Sequence, residues 1–562
     1  MVSSSNGTLQ PKVLATDKIS ADGLDILTPS FQVDSKLGLS ESEICAIIPD
    51  YEALLVRSET QVTKTIIEAA TNLKVIARAG VGVDNIDVPA ATAKGIIVVN
   101  SPTGNIAAAA EHTIALLMAL ARHVPKATAS LKGGKWERSK LVGVEVRHKV
   151  LGIIGLGKGI HPLSLLGSIR RQTDFVVGMH VARCATGLGM KVIAMDPYAS
   201  PDLAKQNSVE LTTLPDVLKR SHFLTVHAPL IASTKGLIGE EELALLQPGA
   251  RVLNVARGGI IDEVALLAAL EKGHIAGAAI DVFSTEPPKH DSSASRLIAH
   301  PNVVATPHLG ASTAEAQVQV ANDVCQQVLA ILSGQLPSSA VNAPIILPEE
   351  LKRLQPYVTL VEKMGDLYTQ HYPTQHHHFD MVYEGDIAEI NTKPLFAALI
   401  RGLTKSVSET QVNIVNANLV AKDRGIVVNE HHSRERSRTG TYSSLITLKS
   451  GDNQLIAGFV SDDNPRIVRL DRFTTSFVPE GYLLICHNYD RPGMIGKVGV
   501  VLGTHGVNIN YMSVAPLVGN AGTVCRAGEA LMILGIDRKV EAELLKDIEK
   551  TDGIVDVKMV HL

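Results

Sequence analysis

Short apolar runs alternate with segments of helical period along the first part of the chain. Lys12–Thr16, Ala53–Val56 and Lys74–Ala77 each have an apolar centre, and Thr63–Ala70 between them places its apolar residues at helical spacing. Strands that alternate with helices predict a parallel sheet covered by helices on both faces. Ala107–Ala121 is apolar on nearly every side, which predicts a buried or interface helix.

A second alternating region begins at Val150 and continues to about residue 308. The helix predicted at Glu315–Leu332 is expected to return to the first domain, which makes that domain discontinuous. A Pro/Ser-rich linker follows at Gly334–Pro344. Beyond it, one block mixes helix and strand signals, and the last block has a βαββαβ rhythm. The predicted domains are residues 1–105 with 309–333, residues 106–308, residues 347–478 and residues 479–562.

Composition and charge narrow the class of protein. The 562 residues suffice for three or four domains, and a net charge of -4 gives no reason to expect nucleic acid or an anionic membrane. Five cysteines without a CxxC pair predict a reducing compartment. No apolar run is long enough to span a bilayer, and the N-terminus lacks the features of a signal or transit peptide. We therefore expect a cytoplasmic protein.

No metal site is expected. His376–His378 is the one run of three histidines. Neighbouring residues on a strand point to opposite faces, and no carboxylate pattern accompanies the run. We interpret it as a surface segment before a strand.

A glycine pair follows the strand that opens the second region. Gly155-Leu-Gly157 begins a dinucleotide-binding fingerprint, but position 160 holds Ile instead of the third glycine. Removal of the 18 residues Gly159–Val176 restores G-x-G-x-x-G with Gly178. The same removal brings Asp196 from 41 to 23 positions after Gly155, close to the expected ~20. An acid at this strand end accepts ribose hydroxyls and repels a 2′-phosphate, so the cofactor is predicted to be NAD.

The segment 159–176 admits three interpretations. It separates the glycine loop from the helix N-terminus, and these two parts together hold a pyrophosphate. One interpretation is a tolerated surface loop, because closing a longer loop costs little free energy. The favoured hypothesis is a retained intron or gene-model error, so that the working protein lacks the segment. The third is a catalytically inactive product.

Three separate stretches each contain a residue suited to oxidising a 2-hydroxy acid. Arg257 in NVARGG supplies a two-pronged clamp for a carboxylate. His308 in TPHLGAST accepts the hydroxyl proton, and Glu286 in DVFSTEP holds the imidazole in the required tautomer. Each has a plainer interpretation: a surface charge, a structural histidine, or a cap for a turn. Their order and spacing together resemble the D-2-hydroxyacid dehydrogenases.

The resemblance extends over almost the whole chain, and it points to one group of enzymes within that family. The chain resembles the long-form phosphoglycerate dehydrogenases, so we expect an α/β protein with two Rossmann-like doubly wound domains, an α+β intervening domain and an ACT domain. The resemblance implies cofactor contacts at Thr103, His227 and Asp281, beside Gly155, Gly157, Gly178 and Asp196. It implies substrate contacts at Arg57, Arg78 and Asn105, and contacts to a neighbouring subunit's site at Arg138 or Lys140.

The C-terminal blocks imply regulation. His487–Gly496 with Gly506–Asn510 resembles an ACT domain, in which Asp490 and Asn508 match positions that hold a serine effector at the interface of a pair. The alternative is a pairing module without a ligand. The block 347–478 resembles a domain that sometimes binds anions, and its basic residues form either an anion site or a solvated loop, which is favoured. These residues are Lys422, Arg424, Arg434, Arg436 and Arg438.

The resemblance implies NAD-dependent oxidation of 3-phospho-D-glycerate to 3-phosphooxypyruvate, the first step of L-serine synthesis. It also implies a homo-oligomer, either a dimer or a tetramer, and L-serine as an effector. One alternative is another D-2-hydroxyacid dehydrogenase, such as a glyoxylate or hydroxypyruvate reductase. Another is an NAD-sensing binding protein, and a third is an isoform inactivated by the segment 159–176.

Overall fold

The computed structural model describes most of the chain in nine ranges. These are residues 10–157, 176–335, 339–344, 348–373, 376–405, 412–433, 442–451, 453–517 and 528–562.

The first lobe is a five-stranded parallel sheet in the order β2-β1-β3-β4-β5. Its strands are β1 (Lys12–Ala15), β2 (Gln32–Ser35), β3 (Ala53–Val56), β4 (Val75–Arg78) and β5 (Ile97–Asn100), and its helices are α1 (Ala21–Leu27), α2 (Glu41–Ile47), α3 (Lys64–Ala69) and α4 (Val88–Ala93). Successive side chains of a strand point to opposite faces. Leu14 and Leu54 therefore pack with α2 and α3, and Val13 and Leu55 enter a separate core on the other face.

The second lobe is a seven-stranded parallel sheet. Its strands are β6 (Val150–Ile154), β7 (Lys191–Met195), β8 (Val209–Leu211), β9 (Phe223–Val226), β10 (Ala250–Asn254), β11 (Ile275–Ile280) and β12 (Val303–Ala305). Its helices are α5 (Ile106–Ala121), α6 (Val124–Lys132), α7 (Val177–Gly187), α8 (Pro201–Gln206), α9 (Leu214–Arg220), α10 (Glu240–Leu245), α11 (Glu263–Glu271) and α12 (Ser293–Ala299). The strand order is β12-β11-β10-β9-β6-β7-β8. The chain adds strands on one side of β6 as far as β8 and then on the other side from β9 to β12, so the strand order reverses between β6 and β9. Ligands of such sheets bind at the carboxyl ends of the strands beside this reversal.

Helix α13 (Ala314–Leu332) returns to the first lobe. Its residues Val320, Val324 and Val328 lie in the same core as Val13 of β1. Helix α1 approaches it so closely that a Cβ on Gly23 would lie 2.7 Å from Cβ of Ala321. The core of the first lobe is therefore built from two separate stretches of the chain. The chain therefore crosses between the lobes twice, before α5 and before α13.

In its described residues, the intervening domain combines a mixed sheet with three α-helices. Its elements are α14 (Pro348–His371), β13 (His378–Gly385), α15 (Lys393–Thr404), α16 (Ala417–Asp423), β14 (Val427–Ser433), β15 (Ser444–Ser450), β16 (Gln454–Ser461), β17 (Asn464–Leu470) and β18 (Phe473–Phe477). The strand order is β14-β13-β15-β16-β17-β18, in which only β13 and β14 run parallel.

The C-terminal domain has the predicted βαββαβ order. Its elements are β19 (Tyr482–Tyr489), α17 (Met494–Thr504), β20 (Ile509–Pro516), β21 (Glu529–Ile536), α18 (Ala542–Glu549) and β22 (Ile554–His561). One sheet face, with Leu484 and Met532, packs against α17 and α18. The other face, with Ile485 and Ile533, shares a core with the intervening domain, so the two domains pack as one unit. Among the described residues, no helix is long and apolar enough to cross a membrane.

Candidate active site

The glycine turn after β6 has the backbone that a pyrophosphate requires. Gly155 and Gly157 have φ values of 88° and 97°, which residues with a Cβ rarely adopt. A Cβ on Gly178, near the start of α7, would lie 2.2 Å from the carbonyl oxygen of Gly155. The structure thus brings the third glycine against the first, although 23 positions separate them. The expectation that the inserted segment separates loop and helix is wrong, because β6 and α7 remain packed.

The end of the inserted segment nevertheless occupies the turn. A Cβ on Gly157 would lie 1.9 Å from Cγ1 of Val176, so this valine side chain covers the glycine that the cofactor must approach. The other residues of 159–176 lie outside the described part of the chain. The backbone fits a dinucleotide, whereas the side chain of Val176 competes for the same space.

Asp196 and His227 flank the turn. At the end of β7, Asp196 Oδ2 accepts the amide of Gly157 at 2.6 Å, and its Oδ1 accepts the amide of Tyr198 at 2.8 Å. The backbone of His227 is so close to Gly155 that a Cβ there would lie 2.6 Å from the His227 carbonyl oxygen. Burial lowers the pKa of His227 to about 4, so this imidazole is neutral at physiological pH. Both predicted cofactor residues therefore border the turn.

His308 and Glu286 form a close pair. His308 Nδ1 lies 2.6 Å from Glu286 Oε2, and Glu286 Oε1 accepts the amide of Phe283 at 2.9 Å. Partial burial raises the pKa of Glu286, but the hydrogen bonds from His308 and Phe283 outweigh it, and the net pKa is below the ordinary value. An ionised carboxylate only accepts hydrogen bonds. The proton of neutral His308 is therefore on Nδ1, and Nε2 is left as the basic atom.

Arg257 reaches across to the first lobe. Its Nε lies 3.1 Å from Asp84 Oδ2, and its NH1 donates to the carbonyl of Ala256 at 2.7 Å. Burial lowers the pKa of Arg78 to about 10, helped by the positive charges of Arg257 and Arg57. The guanidinium groups of Arg257 and Arg57, from two lobes, are therefore close enough to Arg78 to repel its charge. Such a group favours an anionic ligand between them.

Buried polar residues hold the loops that carry Arg57 and Arg78. Asp17, only 2% exposed, accepts the amides of Arg57 at 2.6 Å and Glu59 at 3.2 Å. Asn85 accepts from Arg78 Nε at 2.8 Å and donates to the Arg57 carbonyl at 2.9 Å. Asp17 and Asn85 were not predicted from the sequence. The position of Asp17, two residues after the end of β1, was the available signal, since ligand sites lie at the carboxyl ends of parallel strands.

Thr103 and Asn105 lie in the first connection between the lobes, and both are partly exposed. Asn105 is the N-cap residue of α5, but its side chain makes no capping hydrogen bond. The carbonyl of Thr103 accepts the amide of Ile106 at 3.3 Å. Both residues lie between the two lobes, and their roles in binding cofactor and substrate stay predictions.

Arg138 and Lys140 lie in an exposed 3-10 turn. Lys140 pairs with Glu137 at 3.1 Å, and nearby Trp136 is 82% exposed. Within the described part of the chain, neither cation bonds to His308, Glu286 or the arginines. A role at the active site would require a second subunit, as the resemblance implies.

The two predicted effector residues are separated within one chain. Asp490 precedes α17 and Asn508 follows it. A helix of 11 residues is roughly 16 Å long at the usual rise. Asn508 Nδ2 donates to Asn510 at 2.8 Å. A single amino acid therefore contacts both predicted residues only if each comes from a different subunit.

Of the basic residues named in the intervening domain, Lys422 and Arg424 do not line the cationic cavity of that domain. A cavity of about 620 Å³ lies between this domain and the C-terminal sheet, and its cations are Lys449, Arg469, Arg472 and Lys558. Lys422 and Arg424 lie at the end of α16, away from this cavity. Arg434, Arg436 and Arg438 fall outside the described residues. The antiparallel strands bring the lining residues together from distant positions, which a local basic run does not reveal.

Comparisons with known families agree with this architecture. The NAD binding domain of D-isomer specific 2-hydroxyacid dehydrogenases matches residues 114–159 and 176–310, and so omits 160–175. The D-3-phosphoglycerate dehydrogenase intervening domain matches residues 353–471, and the ACT domain matches residues 482–553. The gap in the first match falls within the segment singled out from the glycine spacing.

Full-length relatives and a solved structure narrow the family. The D-3-phosphoglycerate dehydrogenase of Synechocystis is 43% identical over 98% of this chain and 95% of its own length. The Bacillus subtilis enzyme of that name is 39% identical over 98% and 99%. D-Lactate dehydrogenase from Aquifex aeolicus, solved with NAD and lactic acid, superposes with a TM-score of 0.51 at 25% identity, over 59% of this chain and 99% of its own. The chain belongs to the D-3-phosphoglycerate dehydrogenase family.

Proposed function

We propose that this chain oxidises 3-phospho-D-glycerate to 3-phosphooxypyruvate with NAD, the first step of L-serine synthesis. The observation that carries the proposal is the His308–Glu286 pair, with 2.6 Å between Nδ1 and Oε2, placed on the sheet that holds the glycine turn. The near-full-length likeness to D-3-phosphoglycerate dehydrogenases supports this substrate. NAD, when bound, supplies the hydride acceptor.

His308 is the proposed base. With Nδ1–H directed at Glu286, its Nε2 accepts the proton of the substrate C2 hydroxyl as the hydride leaves C2, and a C=O bond forms. Glu286 stabilises the imidazolium that results. The His308 side chain is 43% exposed, so the ring is accessible to a ligand from solvent.

Arg257 is the proposed clamp for the substrate carboxylate. Its guanidinium is already paired with Asp84, on a loop of the opposite lobe. A bidentate carboxylate is a good partner for a guanidinium. In this proposal the substrate carboxylate replaces Asp84 as the hydrogen-bond partner of Arg257. Substrate binding therefore changes a contact between the two lobes. Closure of the cleft excludes water from the reacting atoms.

The phosphate is assigned to the first lobe. Arg57 and Arg78 lie on neighbouring strand ends there, and their loops are fixed through Asp17 and Asn85. A substrate with two anionic ends requires cations at both ends. Burial, with the positive charges of Arg257 and Arg57, lowers the pKa of Arg78, and a phosphate bound between these groups would relieve the repulsion.

Arg57→Ala is expected to raise the KM for 3-phospho-D-glycerate by about 10–100-fold, because one charge-assisted contact is worth about 1.5–3 kcal/mol. Turnover of D-glycerate, which lacks the phosphate, should change less than about threefold. Steady-state kinetics with both substrates tests this, and Lys64→Ala, which removes an exposed cation of the same lobe, is the control. Equal losses on both substrates would contradict the assignment of Arg57 to the phosphate.

The same comparison addresses the alternative activities. A glyoxylate or hydroxypyruvate reductase would show no advantage for the phosphorylated substrate. An NAD-sensing binding protein would bind NADH without turnover of either. The intervening and ACT domains, matched over residues 353–471 and 482–553, favour the phosphoglycerate reaction.

We further propose a cytoplasmic homo-oligomer with L-serine as the effector of the ACT domain. The exposed side chains of Trp136 and Val142, at 82% and 78%, support a contact between subunits around Arg138 and Lys140. The separation of Asp490 and Asn508 along α17 supports an effector site shared by two copies.

L-Serine is expected to slow NADH formation, and Asp490→Ala should raise the serine concentration for half-inhibition at least about tenfold, the effect of losing one charged contact. Light scattering should show the same oligomer for both forms, so that loss of assembly does not explain the result. Asp552→Ala, at an exposed acid of the same domain, is the control. A chain indifferent to serine would match the alternative of a pairing module without a ligand.

A further inference from the structure

A buried carboxylate, Asp281, lies between the second sheet and His308. It directly follows β11 and is 0% exposed. Its backbone amide donates to the Asn254 carbonyl at 2.9 Å, and its own carbonyl accepts the amide of His308 at 2.9 Å. In this conformation no atom of Asp281 is exposed for the predicted contact with a nicotinamide carboxamide. Asp281 also takes no part in the proton transfer proposed above.

The side chain of Asp281 accepts hydrogen bonds from the loop that contains His308. Oδ1 accepts the hydroxyl of Thr306 at 2.5 Å and the amide of Leu309 at 2.8 Å, and Oδ2 accepts the amide of Gly310 at 2.9 Å. His112 Nε2 on α5 lies 3.2 Å from Oδ1. Burial raises the pKa of Asp281, but these hydrogen bonds outweigh burial and lower the pKa below its ordinary value. The buried site therefore contains a negative charge that its neighbours compensate.

His308 needs this support because of its backbone. Its φ of 55° lies in the left-handed region, which a residue with a Cβ adopts only where the surroundings fix it. Asp281 fixes the residues on both sides of His308 as well as the amide of His308 itself. The imidazole consequently reaches Glu286 from one defined direction.

The same loop begins the second connection between the lobes. It leads from β12 to α13, and the first connection leads from β5 to α5, the helix that carries His112. On the side of the first lobe, Ser101 Oγ donates to Asp323 Oδ2 at 2.6 Å, and Gln327 Nε2 donates to the Asn100 carbonyl at 2.9 Å. Hydrogen bonds thus hold both connections at each end. Residues 102–105 and 311–313, between the held ends, are the parts of the connections that can bend.

We propose that Asp281 and His112 are positioning residues that fix His308 to the second lobe, so that bending at 102–105 and 311–313 moves the first lobe without displacing the base. This inference rests on the proposed function, because it takes His308 as the base. The carboxylate of Asp281 accepts the hydrogen bonds of the His308 loop. His112 contacts this carboxylate from α5, the helix that follows the first connection.

The test compares kinetics with cofactor binding in the full chain. Asp281→Asn should lower kcat by roughly 10–100-fold, the scale of a misplacement of about 1 Å, while the NADH dissociation constant from fluorescence titration changes less than about twofold. His112→Gln, which keeps a donor near the Nε2 position, should retain kcat within about threefold. His112→Phe, which lacks a donor, should lose about tenfold.

An independent measurement reports on the placement of His308 without turnover. Its rate of carbethoxylation by diethyl pyrocarbonate, mapped by mass spectrometry, should change in Asp281→Asn relative to exposed His290. Weaker NADH binding at unchanged kcat would instead make Asp281 a cofactor contact and overturn the inference. Equal kcat for His112→Phe and the unaltered chain would overturn it too. An unaltered chain that makes no NADH contradicts the proposed function alone, because the carbethoxylation result still decides the positioning role.

Discussion

Replacing His308 with alanine is expected to lower kcat for 3-phospho-D-glycerate by about 10²–10⁴-fold, the usual contribution of a positioned general base. The expectation follows from the 2.6 Å contact between Nδ1 and Glu286, which leaves Nε2 as the acceptor of the hydroxyl proton. The KM should change much less, since the substrate anions are assigned to Arg57, Arg78 and Arg257. Steady-state NADH formation measures both constants.

The matched control is His290→Ala. His290 lies in the neighbouring loop and is fully exposed, so its loss should leave kcat within about twofold, as expected for a surface substitution. Retention of near-normal kcat in His308→Ala would remove the proposed base. A rise in KM alone would mean that His308 binds substrate and transfers no proton.

Removal of residues 159–176 is expected to tighten NAD binding by at least about tenfold. The deletion joins Lys158 to Val177, restores the spacing of the three glycines and takes away Val176, whose side chain covers Gly157. A pyrophosphate can then approach the uncovered turn and compete with Asp196 for the amide of Gly157. One recovered charge-assisted hydrogen bond is worth about 1.5–3 kcal/mol, which corresponds to roughly 10–150-fold in affinity.

Two further variants separate length from side-chain effects. Val176→Gly in the full chain should recover part of the affinity, because it uncovers Gly157 alone. Replacement of 160–175 by a Gly/Ser segment of equal length should recover little, because Val176 stays. Isothermal titration with NAD measures all four chains. Equal dissociation constants with and without 159–176 would favour the tolerated surface loop over the hypothesis of a retained intron or gene-model error.

The sequence predicts best those features that arise within one βαβ unit. The glycine turn, the helix after it and the acid at the end of β7 follow one another along the chain, so their spacing alone located Gly178 beyond an insertion. The structure places that glycine against Gly155. The strands and helices of the two lobes were also predictable from the sequence, because their apolar periodicity is local.

Contacts between distant segments were not predictable in this way. Asp84 is the partner of Arg257 from 173 positions away, and no local pattern selects it among the acids of the first lobe. The resemblance implied a cofactor contact for Asp281, but it did not reveal that donors from α5 and the His308 loop surround the carboxylate. The ends of two elements and a returning loop must be in place before its burial is apparent.

The proposal of a phosphoglycerate oxidation is tested most directly by NADH formation from the purified full-length chain and NAD. With equal concentrations of 3-phospho-D-glycerate and D-glycerate, the account predicts a kcat/KM at least about 100-fold higher for the phosphorylated acid, since two phosphate-directed arginines are each worth about 1.5–3 kcal/mol. Similar rates for both acids, or a preference for D-glycerate, would contradict it.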